Sequence, residues 1–328
     1  MDRRFLVKAA GMAAVLGTGV APAVHAQAAV RWRLASSFPR SLDTIYGAAE
    51  VFAHKVRQLS GGRFEVSVHA AGERMPAFSV VDGVQKGTVE AAHTAPYYFF
   101  EMDETFAIGG AIPFGLNSRQ MSAWTYEGNG LKLMREFYAH YGIVSFPCGN
   151  TGAQMGGWMR KEIRSVQDLQ GLKFRIGGFA GKVLERLGGL PQNIPGGDIY
   201  QALEKGSIDA AEWIGPYDDQ KLGFNKVAPY YLETASTFAH VVTQAKYDVK
   251  NPGALKQLVG AGAKLRPFPA DVMSGAFKQS MALYDELSRR NPRWNRVYAD
   301  YQKFRSDQNL WFRFTEATFD RFMQSQKL

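Results

Sequence analysis

One arginine lies at the end of an apolar segment, where a small acid could bind. Arg175 follows Leu172 and Phe174 and precedes the glycine pair at 177–178, a pattern that predicts the carboxyl end of a buried strand. A guanidinium at that position can donate two parallel charge-assisted hydrogen bonds to a carboxylate. We therefore predict that Arg175 clamps a small carboxylic acid. The alternative is a structural ion pair with a carboxylate of the protein.

A second group of polar residues follows a segment that occurs twice. Residues 84–96 (VQKGTVEAAHTAP) align without a gap with residues 203–215 (LEKGSIDAAEWIG), either by chance or because the chain has two similar lobes. Each copy has the pattern of a helix that ends at a glycine and leads into a strand. Thr94 in the first copy and Glu212 and Trp213 in the second then lie where open α/β sheets bind ligands.

Glu212 could bind a hard cation together with oxygen atoms from another segment of the chain. Asn150 and Gln154 carry amides in the segment NTGAQMGGW, whose glycines allow a close approach of the backbone. A carboxylate, an amide oxygen and a backbone carbonyl are ligands for a cation such as Na⁺ or Ca²⁺. The alternatives are an exposed loop carboxylate at Glu212 and a polar loop at a domain crossing.

Catalytic signatures are absent from the sequence. It contains no Gly-x-Ser-x-Gly, His-Glu-x-x-His or Cys-x-x-Cys pattern, and its histidines show no metal-ligand spacing. Cys148 is the only cysteine, and its neighbours Phe146 and Pro147 favour a small core residue. We therefore expect a binding protein with no redox or organic cofactor. The alternatives are an exported enzyme that acts on a small carboxylic acid and a ligand-sensing subunit of a signalling system.

The amino terminus has the pattern of a secretory signal peptide. Arg3 and Arg4 precede an apolar run at 9–20, which is too short to span a bilayer, and residues 24–26 fit a cleavage site. We predict that residues 1–26 are removed and that the mature chain is periplasmic. Export by the Sec route and by the twin-arginine route both fit the pattern. A retained amino-terminal anchor is the alternative.

The charge of the chain favours anionic solutes over nucleic acid. The formal net charge is +9 at pH 7, and removal of the signal segment, with three basic residues and one acidic residue, lowers it to +7. A moderately basic exported protein attracts anionic solutes or a membrane surface. The basic residues are dispersed, without a run of five or six, so we predict no binding to nucleic acid.

Apolar periodicity predicts an α/β chain. Alternation predicts strands at 30–34 and 64–68, with a helix between them that Ser41 caps. This order of strands and helices implies a mostly parallel sheet covered by helices. A longer helix is predicted at 118–141, followed by a short buried strand at 143–146.

The carboxyl-terminal part of the chain is predicted to be helical from Pro269 almost to its end. Aromatic residues recur along it at helical spacing, among them Trp294, Trp311 and Phe322. Such stripes belong to a core or to an interface, and we expect a homodimer through these helices.

Five long segments resemble the solute receptors of TRAP transporters, the DctP type, and within that type the receptors of 2-oxo acids such as pyruvate. The segments are RWRLASSFPRSLDTIYGAAE from Arg31, IPFGLNSRQ from Ile112, GNTGAQMGGW from Gly149, KFRIGGFAG from Lys173, and PQNIPGGDIYQALEKGSIDAAEWIGPYDDQKLGF from Pro191. They cover the chain from Arg31 to about Tyr231 and occur in the order that the family has.

The resemblance implies a two-lobed α/β periplasmic binding protein with long helices that connect the lobes. The first lobe would comprise 27–152 and about 240–280, and the second 153–239 and about 281–328. Such a receptor captures a small 2-oxo or 2-hydroxy monocarboxylate in the cleft and delivers it to a membrane permease.

The resemblance also implies roles for individual residues. Arg175 would bind the carboxylate of the acid, while Gln154, Glu212 and the backbone of Trp213 would hold a Na⁺ or Ca²⁺ ion that bridges to it. The remaining ligand contacts are predicted at residues around the cleft, which are Asn150, Trp213, Thr94, Tyr97, Tyr98 and Phe38.

One segment departs from the family pattern. After Tyr231 the 2-oxo acid receptors continue through Pro-Gly-Trp-Trp-Glu-Gly-Gly, whereas this chain reads LETASTFAH. The glutamate of the family falls opposite Phe238, so a third acidic group of the cation site is missing. Glu233 is the nearest acidic replacement in the sequence.

Overall fold

A computed structural model describes residues 30–110, 112–238 and 241–326, without the side chains of 233–238, 241 and 242. The predicted signal peptide at 1–26 lies outside these ranges. The strands, numbered along the chain, are β1 Val30–Ser36, β2 Phe64–His69, β3 Ala91–His93, β4 Gly152–Met159, β5 Lys173–Arg175, β6 Leu190–Gln192, β7 Ala210–Ala211, β8 Tyr230–Phe238 and β9 Lys264–Arg266. The helices are α1 Ile45–Leu59, α2 Val80–Gln85, α3 Ser118–Tyr126, α4 Gly130–Ala139, α5 Gly178–Arg186, α6 Ile199–Glu204, α7 Pro216–Leu222, α8 Val241–Gly260, α9 Ala270–Arg290, α10 Pro292–Phe314 and α11 Glu316–Ser325.

The described strands form two sheets, one in each lobe. The first has the order β2-β1-β3 and is parallel throughout. The second has the order β6-β5-β7-β4-β8-β9, in which β4 runs antiparallel to both β7 and β8. Helix α9 packs against α5 of the second lobe, and α10 packs against α3 and α4 beside the first. The predicted two-lobed α/β fold with long connecting helices is therefore confirmed.

The repeated sequence segment has the same backbone structure in both lobes. Gly87 and Gly206 end the helices α2 and α6 with φ angles of 68° and 71°. After each glycine, two consecutive backbone N–H groups donate to one carbonyl, that of Gly83 in the first lobe and Ala202 in the second. Strands β3 and β7 follow and join their sheets in parallel. The two copies therefore bring their next residues to equivalent sheet edges.

Two local predictions were wrong. No strand forms at 143–146, where Val144 and Phe146 are exposed, and Cys148 is also exposed rather than in the core. This segment is a surface connection from α4 to β4, and the ring centroid of Phe146 lies 5.1 Å from the guanidinium carbon of Arg135. Apolar composition alone could not distinguish such a connection from a buried strand.

Two helix boundaries also differ from the prediction. Helix α1 begins at Ile45 after Thr44, rather than at a Ser41 cap, because the buried Leu42 draws the preceding residues into a turn. The segment 118–141 contains two helices, which separate where Gly128 packs against the backbone of Trp124.

The pairing of β9 indicates which sheet contains the residues at 264–266. Strand β9 lies beside β8 in parallel, so Lys264–Arg266 belongs to the second sheet, whereas the sequence placed about 240–280 with the first lobe. None of the helices among the described residues combines the length and the hydropathy needed to cross a membrane.

Candidate ligand site between the lobes

Arg175 ends β5, and its side chain is fully buried. Its Nε donates to the carbonyl of Ile194 at 2.9 Å. Its Nη1 donates to the carbonyl of Glu212 at 2.7 Å and to the Oε2 atom of Glu212 at 3.1 Å. These bonds fix the plane of the guanidinium between two loops that follow neighbouring strands.

One arm of the guanidinium remains available to a ligand. The Nη2 atom of Arg175 is buried and has no hydrogen-bond partner within the described part of the chain. A buried donor without a partner is costly, so native proteins rarely leave one unless a ligand or water completes it. The sequence predicted two parallel hydrogen bonds from Arg175 to the carboxylate of an acid. The structure differs from that prediction, because Nε and Nη1 already donate to the protein. An acid would meet Nη2 first.

The indole of Trp213 supports the arginine from one side. The guanidinium carbon lies 4.8 Å from the centroid of the Trp213 ring, a cation–π contact. The ring packs on Gly196, where a Cβ atom would come within 2.3 Å of it. The Nε1 atom of Trp213 is likewise buried without a hydrogen-bond partner among the described residues. Two unpaired donors thus occur on groups in direct contact.

The carboxyl group of Glu212 accepts a hydrogen bond from Arg175 at this site. Burial raises the pKa of its carboxyl to about 7, an effect that Arg175 opposes and that Asp219 adds to. The sequence left open whether Arg175 binds a ligand or forms a structural ion pair, and the geometry contains the ion pair as well as a free donor.

The oxygen donors predicted for a cation are partly assembled. Glu212 and Gln154 line one cavity, and the amide nitrogen of Gln154 donates to Thr151 at 2.9 Å. A carboxylate and an amide oxygen are suitable donors for Na⁺ or Ca²⁺, with water completing the coordination. No cluster of three or more histidine, cysteine or acidic residues suited to a metal occurs in the described ranges. The predicted involvement of Phe238 and Glu233 falls on side chains outside the described ones.

Tyr97 and Tyr98 bring the first lobe to this site. Tyr97 lines the cavity, and its ring packs against Gly178, whose added Cβ would lie 3.1 Å from the Cβ of Tyr97. Gly178 has φ of 57°, a conformation that favours glycine. Burial raises the pKa of Tyr98, and the charge of nearby Arg175 opposes that rise. Residues from both lobes therefore meet around the guanidinium.

The other predicted ligand residues serve the framework in this structure. Asn150 is 3% exposed; its Nδ2 donates to Gln244 at 2.8 Å, and its Oδ1 accepts from the backbone of Gly152 at 2.7 Å. Thr94 accepts from the hydroxyl of Ser37 at 2.7 Å. Phe38 is buried against His93, with 5.1 Å between their ring centroids. Their assignment as ligand contacts stays a prediction.

An apolar cavity of about 180 Å³ extends from Gln154 and Glu212 between α5 and α9. The sequence did not single out the residues of its wall, which include Phe114, Phe179, Val183, Met273 and Ala276. Phe114 has a φ of 57°, unusual for a residue with a side chain. Such an outlier next to a cavity is typical of a functional site.

Asp219 holds the loop that carries Glu212 and Trp213. Its Oδ1 accepts from the backbone of Ile214 and Gly215, and its Oδ2 accepts from Trp158 and Tyr231, which is a complete set of acceptor bonds for a buried carboxyl group. Its place in the motif IGPYDD offered a signal that sequence reasoning did not use.

Comparison with known families identifies the family of this chain. Residues 35–287 match the model of the DctP family, described as bacterial extracellular solute-binding protein, family 7. The chain is 40% identical to the monocarboxylate 2-oxoacid-binding periplasmic protein of Nostoc sp. strain PCC 7120, over 91% of this chain and 90% of the relative.

Solved structures of TRAP solute-binding proteins share the fold. One from Bordetella bronchiseptica RB50 is 44% identical with a TM-score of 0.88, covers 91% of this chain and 98% of its own, and is a mixed-occupancy dimer with calcium and picolinate in one site. Another from Pseudoalteromonas atlantica T6c, 33% identical with a TM-score of 0.84 over 91% of this chain and 100% of its own, contains sodium and pyruvate. The chain therefore belongs to the DctP family of TRAP solute-binding proteins, as its sequence predicted, and this is a family of binding proteins rather than enzymes.

Proposed function

We propose that this protein captures a small 2-oxo or 2-hydroxy monocarboxylate, with pyruvate as the simplest case, and delivers it to the membrane permease of a TRAP transporter. The observation that carries the proposal is the unpartnered Nη2 of Arg175, buried where both lobes meet. A carboxylate oxygen is the partner that this donor lacks. The Nostoc relative is named for 2-oxo acids, and the Pseudoalteromonas structure contains pyruvate.

The cavity next to the site suits the apolar part of such an acid. Its walls are mostly aliphatic and aromatic, while Gln154, Glu212 and Tyr97 lie at its polar end. A 2-oxo acid combines these two requirements, because its carboxylate and oxo oxygens are adjacent and its side chain is apolar. The carboxylate would meet Arg175, and the side chain would enter the cavity.

A bound cation is part of the proposal. Glu212, Gln154 and the backbone carbonyl of Trp213 would hold Na⁺ or Ca²⁺, the ions present in the relatives from Pseudoalteromonas and Bordetella. When bound, the ion supplies positive charge that attracts the oxygens of the acid. In this chain, Arg175 orients the carboxylate, and Trp213 limits its movement by packing against the guanidinium.

The proposal also covers the cellular location of the protein, its oligomeric state and the bounds of its lobes. Residues 1–26 would direct export to the periplasm by the Sec or the twin-arginine route, and the mature chain would form a dimer. The lobe boundaries stay as predicted with two exceptions. The pairing of β9 and the packing of α8 against α7 favour placing about 241–266 in the second lobe, and the packing of α10 against α3 and α4 favours the first lobe for 292–314.

Thermal-shift measurements on the mature chain test the proposed function. A panel of small acids, including pyruvate, lactate and 4-methyl-2-oxopentanoate, is screened in sodium, calcium and choline salts. We expect 2-oxo acids to raise the melting temperature and to remain chemically unchanged after incubation. Acetate and neutral analogues such as acetone are the controls. A panel in which no 2-oxo or 2-hydroxy acid raises the melting temperature more than acetate does would contradict the proposal.

A further inference from the structure

The carboxylate of Asp43 contacts three side chains from another part of the chain. The hydroxyl of Tyr217 donates to its two oxygens at 3.1 and 3.2 Å. The ammonium of Lys250 donates to its Oδ2 at 3.0 Å, and that of Lys221 donates to its Oδ1. Lys221 also reaches the carbonyl of Ser41 at 3.3 Å. The carboxylate is therefore held from several directions.

These contacts join the two lobes. Asp43 lies between β1 and α1, the first strand and helix of the first lobe. Tyr217 and Lys221 lie on α7, which follows β7, and Lys250 lies on α8, which connects β8 to β9. Strands β7, β8 and β9 all belong to the second sheet. When the lobes separate, Asp43 must leave the other three residues.

Tyr217, Lys221 and Lys250 also contact one another, so their side chains are held in place without Asp43. Lys250 donates to the hydroxyl of Tyr217 at 2.8 Å, and the ammonium groups of Lys221 and Lys250 lie 4.4 and 4.2 Å from the centroid of its ring. Helix α7 is fastened to α8 by the hydroxyl of Tyr247, which donates to Asp218 at 2.5 Å. Because these contacts lie within one lobe, the long side chains are already partly ordered before they meet Asp43. This order lowers the entropic cost of forming the contacts between the lobes.

The charges favour a carboxylate at this position. Two ammonium groups share one tyrosine ring, so their repulsion is relieved when an anion lies between them. Partial burial raises the pKa of Asp43, but its hydrogen bonds to Lys221, Lys250 and Tyr217 outweigh this effect and lower that pKa to about 2. The carboxylate therefore stays charged at neutral pH.

We propose that Asp43, Tyr217, Lys221 and Lys250 form a latch that holds the lobes closed and slows the release of the ligand. The part of this inference that concerns release rests on the proposed function, whereas closure of the ligand-free protein does not. The partners are partly exposed, so salt weakens the latch. Because the latch joins protein to protein, it acts on opening rather than on recognition of the acid.

Small-angle scattering tests the latch without a ligand. The mature chain is compared with Asp43→Asn in low salt and in 0.5 M NaCl, which has about ten times the ionic strength of the low-salt buffer. We expect Asp43→Asn to have the larger radius of gyration in low salt and the difference to shrink in high salt. The control is Asp82→Asn, which removes the same charge from a pair with Lys86 inside the first lobe. Equal radii for wild type and Asp43→Asn in low salt would overturn the latch as a closure device.

Release kinetics test the second half of the inference. Dissociation of pyruvate is followed by tryptophan fluorescence in stopped flow, with Trp213 beside the site as the reporter. We expect about two- to fivefold faster release from Asp43→Asn and from the double variant Lys221→Met/Lys250→Met, given the usual strength of exposed ion pairs. Combining all three substitutions should add little, because they remove one interaction. Unchanged release from Asp43→Asn in a folded protein would overturn the proposal. If pyruvate does not bind the wild type, the proposed function fails while the scattering result still decides the latch.

Discussion

The guanidinium of Arg175 and the indole of Trp213 are stacked with 4.8 Å between the guanidinium carbon and the ring centroid, and each has a buried N–H without a hydrogen-bond partner in the described structure. Arg175 is the last residue of β5, Trp213 follows β7, and these two strands pair in the second sheet. A single acid that accepts from Nη2 of Arg175 would relieve one of these unsatisfied donors. In the proposed function, the bound acid supplies that acceptor.

Substitution of Arg175 should abolish acid binding. A charge-assisted hydrogen bond contributes about 1.5–3 kcal/mol, so Arg175→Ala should weaken binding at least tenfold in calorimetry. Arg175→Lys should also bind poorly, because one ammonium cannot keep the contacts to Ile194 and Glu212 while donating to a ligand. Arg164→Ala, on an exposed ion pair, is the control. Affinity equal to that of wild type in either Arg175 variant would refute this role.

The apolar cavity should determine which side chains the acid can have. Ala276 lines it from α9, so Ala276→Phe should fill the space. Three additional carbons on 4-methyl-2-oxopentanoate are worth about 2 kcal/mol when buried. We expect the variant to lose about thirtyfold in affinity for this acid, with pyruvate nearly unaffected. Ala282→Phe, at an exposed position of the same helix, should change neither affinity. A parallel loss for both acids would place the side chain elsewhere.

The fold was more accessible from the sequence than the exact site. The repeated segments 84–96 and 203–215 predicted matching strand ends, and Gly87 and Gly206 have the expected left-handed conformation. Local signals of this kind depend on backbone geometry, which a short segment largely determines. The exposed segment around Phe146 had no such signal, because its apolar composition fits a buried strand equally well.

The donors of Arg175 depend on contacts that no local pattern encodes. Its Nη1 is used by Glu212, 37 residues away, and its Nε by Ile194. Only the assembled sheet determines which arm remains free. The same applies to the Asp43 latch, whose partners Lys221 and Lys250 lie 178 and 207 residues further along the chain.

The carboxyl-terminal helices should mediate dimer formation. Several large apolar residues of α10 and α11 are exposed, namely Leu310, Trp311, Phe314, Phe319 and Phe322. Exposed apolar patches of this kind mark interfaces, and the Bordetella relative is a dimer. We expect the mature chain to have a dimer mass in light scattering at micromolar concentration, and Phe314→Glu/Phe319→Glu to be monomeric. Gln302→Glu is the control. A folded monomer in the wild type would contradict this prediction.

Asp218 should make the protein less stable as the pH rises. Burial raises the pKa of its carboxyl from 3.8 to about 7, and its Oδ1 has no hydrogen-bond partner among the described residues. The folded state therefore binds the proton more tightly than the unfolded state. Stability should fall between pH 4 and 7, by at most about 1.4 kcal/mol per pH unit, and then level off. Asp218→Asn should remove the part of this slope that Asp218 contributes and leave the part due to Glu212 and Asp219, whose pKa values burial also raises.

Urea unfolding of wild type and Asp218→Asn at pH 4.5, 6 and 8 measures the effect. The variant should be similar to wild type at pH 4.5 and more stable at pH 8, where the wild type must keep a buried charge. Asp82→Asn, on an exposed ion pair, should show no such change. A difference in stability that is the same at all three values would exclude titration of Asp218 as the cause.

The cation dependence of acid binding should be weaker than in receptors that have the third acidic group. In the proposed site, Glu212, Gln154 and the backbone carbonyl of Trp213 would supply the protein oxygens, and water would take the remaining coordination position because phenylalanine offers no oxygen at position 238. The backbone of Phe238 pairs with that of Gly152, two residues before Gln154. We expect Phe238→Glu to strengthen the dependence, with Phe238→Leu as the control. Acid affinity is measured in sodium, calcium and choline salts at equal ionic strength. Strong dependence in the wild type that Phe238→Glu leaves unaltered would mean that another group completes the site, and Glu233→Gln would then be the variant that identifies it.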